Sequence, residues 1–368
     1  MSSDLILVIV IATALAFDFT NGFHDTANVV ATSISTRAMP PRLAVAFAAV
    51  FNFLGAFLSL KVAATVGKDI VSAGSITMTI VFAGLVGAIA WNLATWYFGL
   101  PSSSSHALIG GLVGAAFAAN GAGAILGDGL LGKVVLPAVI APILAFVVAG
   151  AAIIGAYAIV GRQRPGPVNR GFRLGQLLSA GLLALSHGTN DAQKTMGIIT
   201  LALVAHGNIS ADHFAVPNWV VISSATAIAL GTYTGGWRII RTMGSRIIKM
   251  DPAQGFAAQG AGAAVILAAS HAGYPLSTTH VISGGVMGAG AAKRLSAVRW
   301  GVAGNIVIAW VLTLPAAAAI GAVVYAVTRI FGATSAVGPV VVSLFIIAGS
   351  TVLFLNRARG KGGLEATA

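Results

Sequence analysis

Two short polar segments carry much of this chain's capacity for chemistry. Pro101-Ser102-Ser103-Ser104-Ser105-His106-Ala107-Leu108-Ile109-Gly110-Gly111 returns 174 residues later (275 − 101) as Pro275-Leu276-Ser277-Thr278-Thr279-His280-Val281-Ile282-Ser283-Gly284-Gly285. Each copy sets a proline, a run of hydroxyls and a histidine just ahead of an apolar, helix-compatible stretch. The first N–H groups of a helix have no intrahelical partner. Together with the positive end of the helix dipole and nearby hydroxyls, they hold phosphate, sulfate or carboxylate. Helix capping by Ser and Thr would explain one copy. It does not ask for the same proline, histidine and Gly-Gly in both.

A second pair of motifs is acidic. Gly22-Phe23-His24-Asp25-Thr26-Ala27-Asn28 matches Gly188-Thr189-Asn190-Asp191-Ala192-Gln193-Lys194 at an offset of 166 (191 − 25). The chain has only nine acids, and Asp18, Asp25 and Asp191 fall within or at the edge of apolar segments. A carboxylate at a bilayer centre costs about 2.5–3.5 kcal/mol, so it is paired, wetted or functional. Asp18 has no acidic counterpart in the other half. Flanking Asn21, Thr26 and Asn28, and Thr189, Asn190 and Gln193, offer the oxygens that hard cations want, with carbonyls expected to come free where a helix unwinds at Gly22 and Gly188. Na⁺, a divalent metal or a carboxyl-borne proton all suit such a place. His24, His106, His187 and His280 accompany the motifs, as hydrogen-bonding residues or proton carriers. His206, His213 and His271 read as structural or loop residues.

The elements that position these residues are membrane segments. The chain is 57% hydrophobic and 8% charged, with 46 glycines and no cysteine, and its mean hydropathy is +0.92. That excludes a soluble globular domain, a nucleic-acid partner and thiolate metal sites. At about 20 residues per span, an all-α polytopic protein of about 10–12 membrane segments is expected, some of them half-length. The first apolar run, Leu5 to Phe17, has no basic residues before it and is not expected to be a cleaved signal. The net charge of +12 comes mostly from loops: Arg162, Arg164, Arg170 and Arg173; Arg238, Arg241, Arg246 and Lys249; Lys293, Arg294 and Arg299. These loops are assigned to the cytoplasmic side, facing anionic lipid, and the Arg357, Arg359, Lys361 tail follows the same rule.

The motif pairs recur in one order, so the chain divides into a first repeat over 1–160, a basic linker over 161–173 and a second repeat over 174–330, with a last helix and basic tail over 331–368. One ancestral half has been duplicated. Inversion of one half against the other is the commoner arrangement in transporters with broken helices, although the parity of spans decides it.

With both motif pairs in hand, the chain resembles the PiT family of inorganic phosphate transporters, in its bacterial low-affinity branch, from Phe17 to about Leu314. The resemblance implies cation-coupled symport of inorganic phosphate in the bacterial inner membrane, with two reentrant helical hairpins meeting near the midplane. Carried over residue by residue, it implicates Ser103, Ser104, Ser105, Ser277, Thr278 and Thr279 for phosphate. It implicates Asp25, Asn28, Asn190 and Asp191 for the cation, with Asp25 and Asp191 as the metal ligands. Two departures bear on the coupling ion. The family's Asn-Asp is His24-Asp25 here, and Lys194 stands where the first half has Asn28. Lys194 sets an ammonium where a cation would otherwise sit, or pairs with Asp191, and this favours protons over Na⁺, with phosphate carried as a metal-phosphate complex. No separate cofactor is expected; a homo-oligomer is compatible. Sulfate transport or a passive anion channel are the alternatives. An intramembrane hydrolase would need one asymmetric nucleophile and base, whereas these motifs come in pairs. No G-x-x-x-x-G-K-[ST] loop for ATP is present.

Overall fold

The computed structural model describes residues 2–332 and 335–360. It is built from helices, and among the described residues an isolated bridge between Val71 and Ile125 is the sole strand-like pairing. In chain order the α-helices are α1 (Ser2–Ser35), α2 (Pro41–Gly55), α3 (Lys61–Lys68), α4 (Met78–Phe98), α5 (Ser104–Asn120), α6 (Gly127–Leu130), α7 (Leu136–Val160), α8 (Pro165–His206), α9 (Asn218–Thr234), α10 (Trp237–Arg241), α11 (Pro252–His271), α12 (Thr278–Lys293), α13 (Trp300–Ile330) and α14 (Val337–Gly360). Lys361, in the basic tail, lies outside the described residues.

Four stretches are long and apolar enough to cross a membrane by length and composition: Ser3–Ser35, Met78–Phe98, Gly127–Val160 and Trp300–Ile330. The helices that miss this criterion include α8, whose buried hydroxyls, amides and charges of the second acidic motif lower its hydropathy, and α12, which is only 16 residues long. Conversely, α7 and α13 turn Val139, Ile140, Ile143, Val147, Ile308 and Val311 outward, which is the arrangement lipid asks for.

Local signals set the boundaries of the two central hairpins. Gly99 (φ 68°) ends α4 and Gly273 (φ 80°) follows α11, both in the left-handed region that glycine reaches without strain. A proline follows each, at Pro101 and Pro275, and Ser103 and Ser277 then cap the next helix by accepting from His106 N (3.1 Å) and His280 N (3.3 Å). Thus α4–α5 and α11–α12 are two hairpins whose turns carry the hydroxyl-rich segments.

The halves exchange partners across the molecule. α1 packs on α9 while α8 packs on α2, and α5 packs on α13 while α12 packs on α7. Both acidic-motif glycines are places of close approach. A Cβ on Gly22 would lie 2.3 Å from the Ile228 carbonyl oxygen, and one on Gly188 would lie 2.1 Å from that of Asn52. The expected unwinding at Gly22 and Gly188 therefore does not occur: α1 and α8 run through both as continuous helix, because glycine there admits a neighbouring backbone rather than breaking its own. The same continuity overrides one other expectation: the 161–173 linker is helical from Pro165 onward, as the start of α8.

The basic loops gather at one end. Arg299 N donates to Ile247 O (2.9 Å) and Arg299 Nη1 to Ser245 O (3.2 Å). Asp251 accepts from Tyr157 Oη (3.1 Å), near the end of α7, and from Lys293 Nζ (3.2 Å) at the end of α12.

Candidate functional site

The turns of the two hairpins converge on the middle of α1 and α8, in a volume where every motif side chain is buried. Relative exposures are 1% for Asp25, 0% for Asp191, 1% for Lys194, and 0–3% for the Ser and Thr residues of both segments. Backbone hydrogen bonding begins with Ala107 N to Ser103 O (2.9 Å) in α5 and Val281 N to Ser277 O (3.2 Å) in α12. The N–H groups of Ser104, Ser105, Thr278 and Thr279 precede those bonds, so both helices present their donor ends here.

Hydroxyls from the hairpins bind the acids. Ser104 Oγ donates to Asp25 Oδ1 (3.2 Å). Thr278 Oγ1 lies within hydrogen-bond reach of both acids, 3.2 Å from Asp191 Oδ2 and 3.5 Å from Asp25 Oδ2. One hydroxyl of the second half therefore bridges the acids of both halves. Residues Asn28 and Lys194, at matching repeat positions, each reach the opposite hairpin. Asn28 Nδ2 donates to Thr279 (2.9 Å) and Thr278 (3.3 Å). Lys194 Nζ donates to Ser105 Oγ, to the Leu276 carbonyl (2.8 Å) and to Asp191.

Each carboxylate also has an imidazole, delivered from a different position. His24 Nδ1 lies 2.7 Å from Asp25 Oδ1, and its Nε2 faces Thr95 Oγ1 at 3.0 Å. His187 Nε2 lies 3.0 Å from Asp191 Oδ2, one helical turn along α8, with Nδ1 on Asn52 Oδ1 at 3.1 Å. Asp25, His187 and Asp191 can each bring one ligand atom within 4.8 Å of the others, all three buried. Carboxylate oxygens with one imidazole nitrogen suit a divalent metal or, in its absence, a shared proton. Beneath them, the His106 and His280 rings meet edge to face with centroids 4.8 Å apart, and His280 stacks on Trp310 at 4.0 Å.

The sequence-predicted residues divide accordingly. Asp25, Asn28, Asp191, Lys194, Ser104, Ser105, Thr278 and Thr279 come together. Ser103 and Ser277 spend their hydroxyl oxygens on capping. Asn190 turns to Ser270 Oγ (2.8 Å) and the Tyr274 carbonyl (3.1 Å) rather than to the acids. Sequence reasoning singled out His187 only as a motif histidine and passed over Asn52, Thr95 and Ser102, which support the imidazoles. The available signal was a polar residue in the last turn of an otherwise apolar helix, as at Asn52 in α2 and Thr95 in α4.

Comparison with known proteins identifies this arrangement. A model of the phosphate transporter family matches residues 21–321. A "Probable low-affinity inorganic phosphate transporter" of Mycobacterium leprae (strain TN) is 53% identical over 327 residues, covering 89% of this chain and 79% of that protein. A protein of the same name from Rhizobium meliloti (strain 1021) is 53% identical over 321 residues, covering 87% and 96%. The one from Bacillus subtilis (strain 168) is 46% identical over 323 residues, covering 87% and 96%. Among solved structures, "The sodium-dependent phosphate transporter" superposes with a TM-score of 0.80 at 25% identity, over 88% of this chain and 99% of that one. With a family model spanning most of the chain and relatives this similar over nearly their whole length, the chain belongs to the phosphate transporter family, PiT, as a multi-pass protein of the bacterial cell membrane and not an enzyme.

Proposed function

We propose that the chain is a secondary symporter that carries inorganic phosphate between the ends of α5 and α12, together with cations or protons taken up at Asp25 and Asp191. The observation that carries this reading is the Thr278 hydroxyl bridging one acid from each half, between two helix N-termini. The donors suit a tetrahedral oxyanion: backbone N–H groups and the hydroxyls of Ser104, Ser105, Thr278 and Thr279. The carboxylates do not. Two acids against the single ammonium of Lys194 leave the site negative, so phosphate enters only with compensating positive charge. That requirement is symport expressed as electrostatics.

Protons are the favoured driving ion, with phosphate accompanied by a divalent metal held by Asp25, His187 and Asp191 as cargo. Two features support this: each acid is already paired with an imidazole, and Lys194 occupies the position that in the first half belongs to the neutral Asn28. Coupling to Na⁺ is the second reading, supported by the sodium-dependent neighbour. Access alternates as the two halves move around the shared site, with the basic loops on the cytoplasmic side.

The test is uptake of radiolabelled phosphate into proteoliposomes, driven separately by a proton gradient and by a Na⁺ gradient, with and without Mg²⁺, and with sulfate as competitor. Uptake that follows the proton gradient, needs Mg²⁺ and resists sulfate supports the reading. Uptake following Na⁺ alone transfers it to the sodium form. Flux independent of both gradients makes the protein a channel.

A further inference from the structure

A column of uncharged polar side chains runs from the phosphate site toward the basic end of the molecule, joining α1, α8 and α11 in two rungs. In the inner rung, Gln259 Nε2 of α11 donates to Ser33 Oγ of α1 (2.6 Å), and Gln259 Oε1 accepts from Ser179 Oγ of α8 (2.9 Å). In the outer rung, nearly one turn closer to the basic end, Gln176 Oε1 accepts from Thr36 Oγ1 (2.9 Å) while its Nε2 donates to the Pro252 carbonyl (3.0 Å). Arg173, exposed at the surface, donates from Nε to the Thr36 carbonyl (3.1 Å). The five rung side chains are 0–4% exposed, and Thr32 Oγ1, one turn past Asn28 on α1, is buried with no partner. Between the inner rung and the site, Gly262 of α11 lies against Ile282 of α12 and Leu183 of α8, both buried.

The repeat supplies the matching positions on the other side of the acidic motifs, and there they are apolar. At the offset of 166, Ser33, Thr36 and Gln176 correspond to Ile199, Ala202 and Val10; at the offset of 174, Gln259 corresponds to Leu85. All four are 0–1% exposed and belong to one hydrophobic core. Ser179 corresponds to Thr13, whose hydroxyl returns to Ile9 of its own helix (2.7 Å). Packing of these helices therefore does not call for glutamines, and polar side chains kept inside a membrane protein mark pathways. When the polar seam parts, its amides and hydroxyls exchange their bonds for water at little net cost, whereas parting the apolar seam wets hydrocarbon. We propose that Ser33, Thr36, Gln176, Ser179 and Gln259 line the route by which phosphate leaves its site toward the basic end, with Leu183 and Ile282 as the apolar gate that is shut in this conformation. The lining offers donors to an oxyanion without a fixed charge to hold it until Arg173 at the mouth. The inference rests on the transport reading of the site.

The chain has no cysteine, so Ser33→Cys and Ser179→Cys each carry a single thiol, and wild type is the blank. Membrane vesicles of both orientations are treated, without phosphate, with a charged thiol reagent that does not cross the bilayer. Both thiols are expected to react only when the basic end faces the reagent, and Ile199→Cys, in the apolar seam, is expected not to react from that side. Reaction of both thiols from the opposite side, or from neither side, overturns the route. In the second arm, Gln259→Leu is expected to lower phosphate uptake about tenfold while equilibrium phosphate binding and the unfolding temperature stay near wild type, and Gln259→Asn to recover most of the uptake. A lowered unfolding temperature with uptake spared would make Gln259 structural and remove it from the lining. Labelling is read without phosphate and uptake with it. One-sided labelling in a wild-type background that carries no phosphate therefore refutes the transport reading, whereas phosphate uptake with both thiols unlabelled refutes the route alone.

Discussion

The acidic stretches of α1 and α8 match position by position and differ in charge. In α1 the order is Asn21, His24, Asp25, Asn28; in α8 the matching positions are His187, Asn190, Asp191, Lys194. Histidine and asparagine have traded places, yet each carboxylate still has an imidazole within 3.0 Å. The exchange changes what each histidine faces. His24 is turned toward Thr95 and Ser102 on the first hairpin side, whereas His187 joins the acid cluster and leans on Asn52 of α2. At the last position a neutral amide in one half is matched by an ammonium in the other, and both reach across to the opposite hairpin. The matching positions carry these side chains to the same place, and Lys194 forms an ion pair with Asp191 that the amide of Asn28 does not form with Asp25.

Breaking the comparison at its acids should have the largest effect. Asp191→Asn removes the partner of Lys194 and His187, and phosphate uptake is expected to fall about a hundredfold, equivalent to about 2.7 kcal/mol. Asp25→Asn should fall by a similar factor, and proteoliposome uptake of the two variants side by side measures it. A markedly smaller loss at Asp25 would show that the acids are not equivalent in transport.

Lys194→Asn restores the identity of the first-half residue and sharpens the contrast. It strands a buried carboxylate, so a loss of about 3–5 kcal/mol in stability is expected, read as a lowered unfolding temperature in detergent. Uptake should lose dependence on the proton gradient and gain dependence on Na⁺. Unchanged pH and Na⁺ dependence would remove Lys194 from the coupling argument.

Gly22→Ala and Gly188→Ala probe the exchanged packing. In each, the new methyl meets a backbone oxygen at 2.3 or 2.1 Å, and about 1–3 kcal/mol of stability should be lost in both. Equal losses are the expectation, and a tolerated substitution in one half would mean that the two helix pairs pack unlike each other. The smallest effect belongs to the caps. Ser103→Ala and Ser277→Ala should each cost about 0.5–2 kcal/mol of stability with phosphate affinity nearly kept, whereas Ser104→Ala and Thr278→Ala should weaken phosphate binding while sparing stability. A loss of affinity at the caps equal to that at their neighbours would contradict this division.

Much of the site was legible because hydroxyl runs and acids are conspicuous in an apolar chain. Asp25 and Asp191, Asn28 and Lys194, Ser104 and Thr278 were all found from type and spacing. The orientation of Asn190 was not legible, because it depends on helical phase: its Nδ2 is spent on Ser270 of α11 and the Tyr274 carbonyl, which leaves its Oδ1 without a partner. Asn52 and Thr95 went unnoticed because one polar residue in an apolar helix carries no spacing signal. The boundaries of α8 were misread because Arg and Pro near Pro165 look like a linker, although proline is well placed in the first turn of a helix.

By itself the sequence determined that the chain is helical and membrane-embedded, and that a polar helix start and one acid recur in each half at matching spacing. These follow from composition, periodicity and offset, which are properties of the chain order. Only the tertiary structure decided that the halves exchange helices, that Gly22 and Gly188 admit neighbours instead of breaking their helices, and that Thr278 reaches both acids. Those facts depend on which helix faces which. That is set by packing between residues more than a hundred positions apart, as between Gly22 and Ile228 or Gly188 and Asn52, and no local pattern encodes such distances.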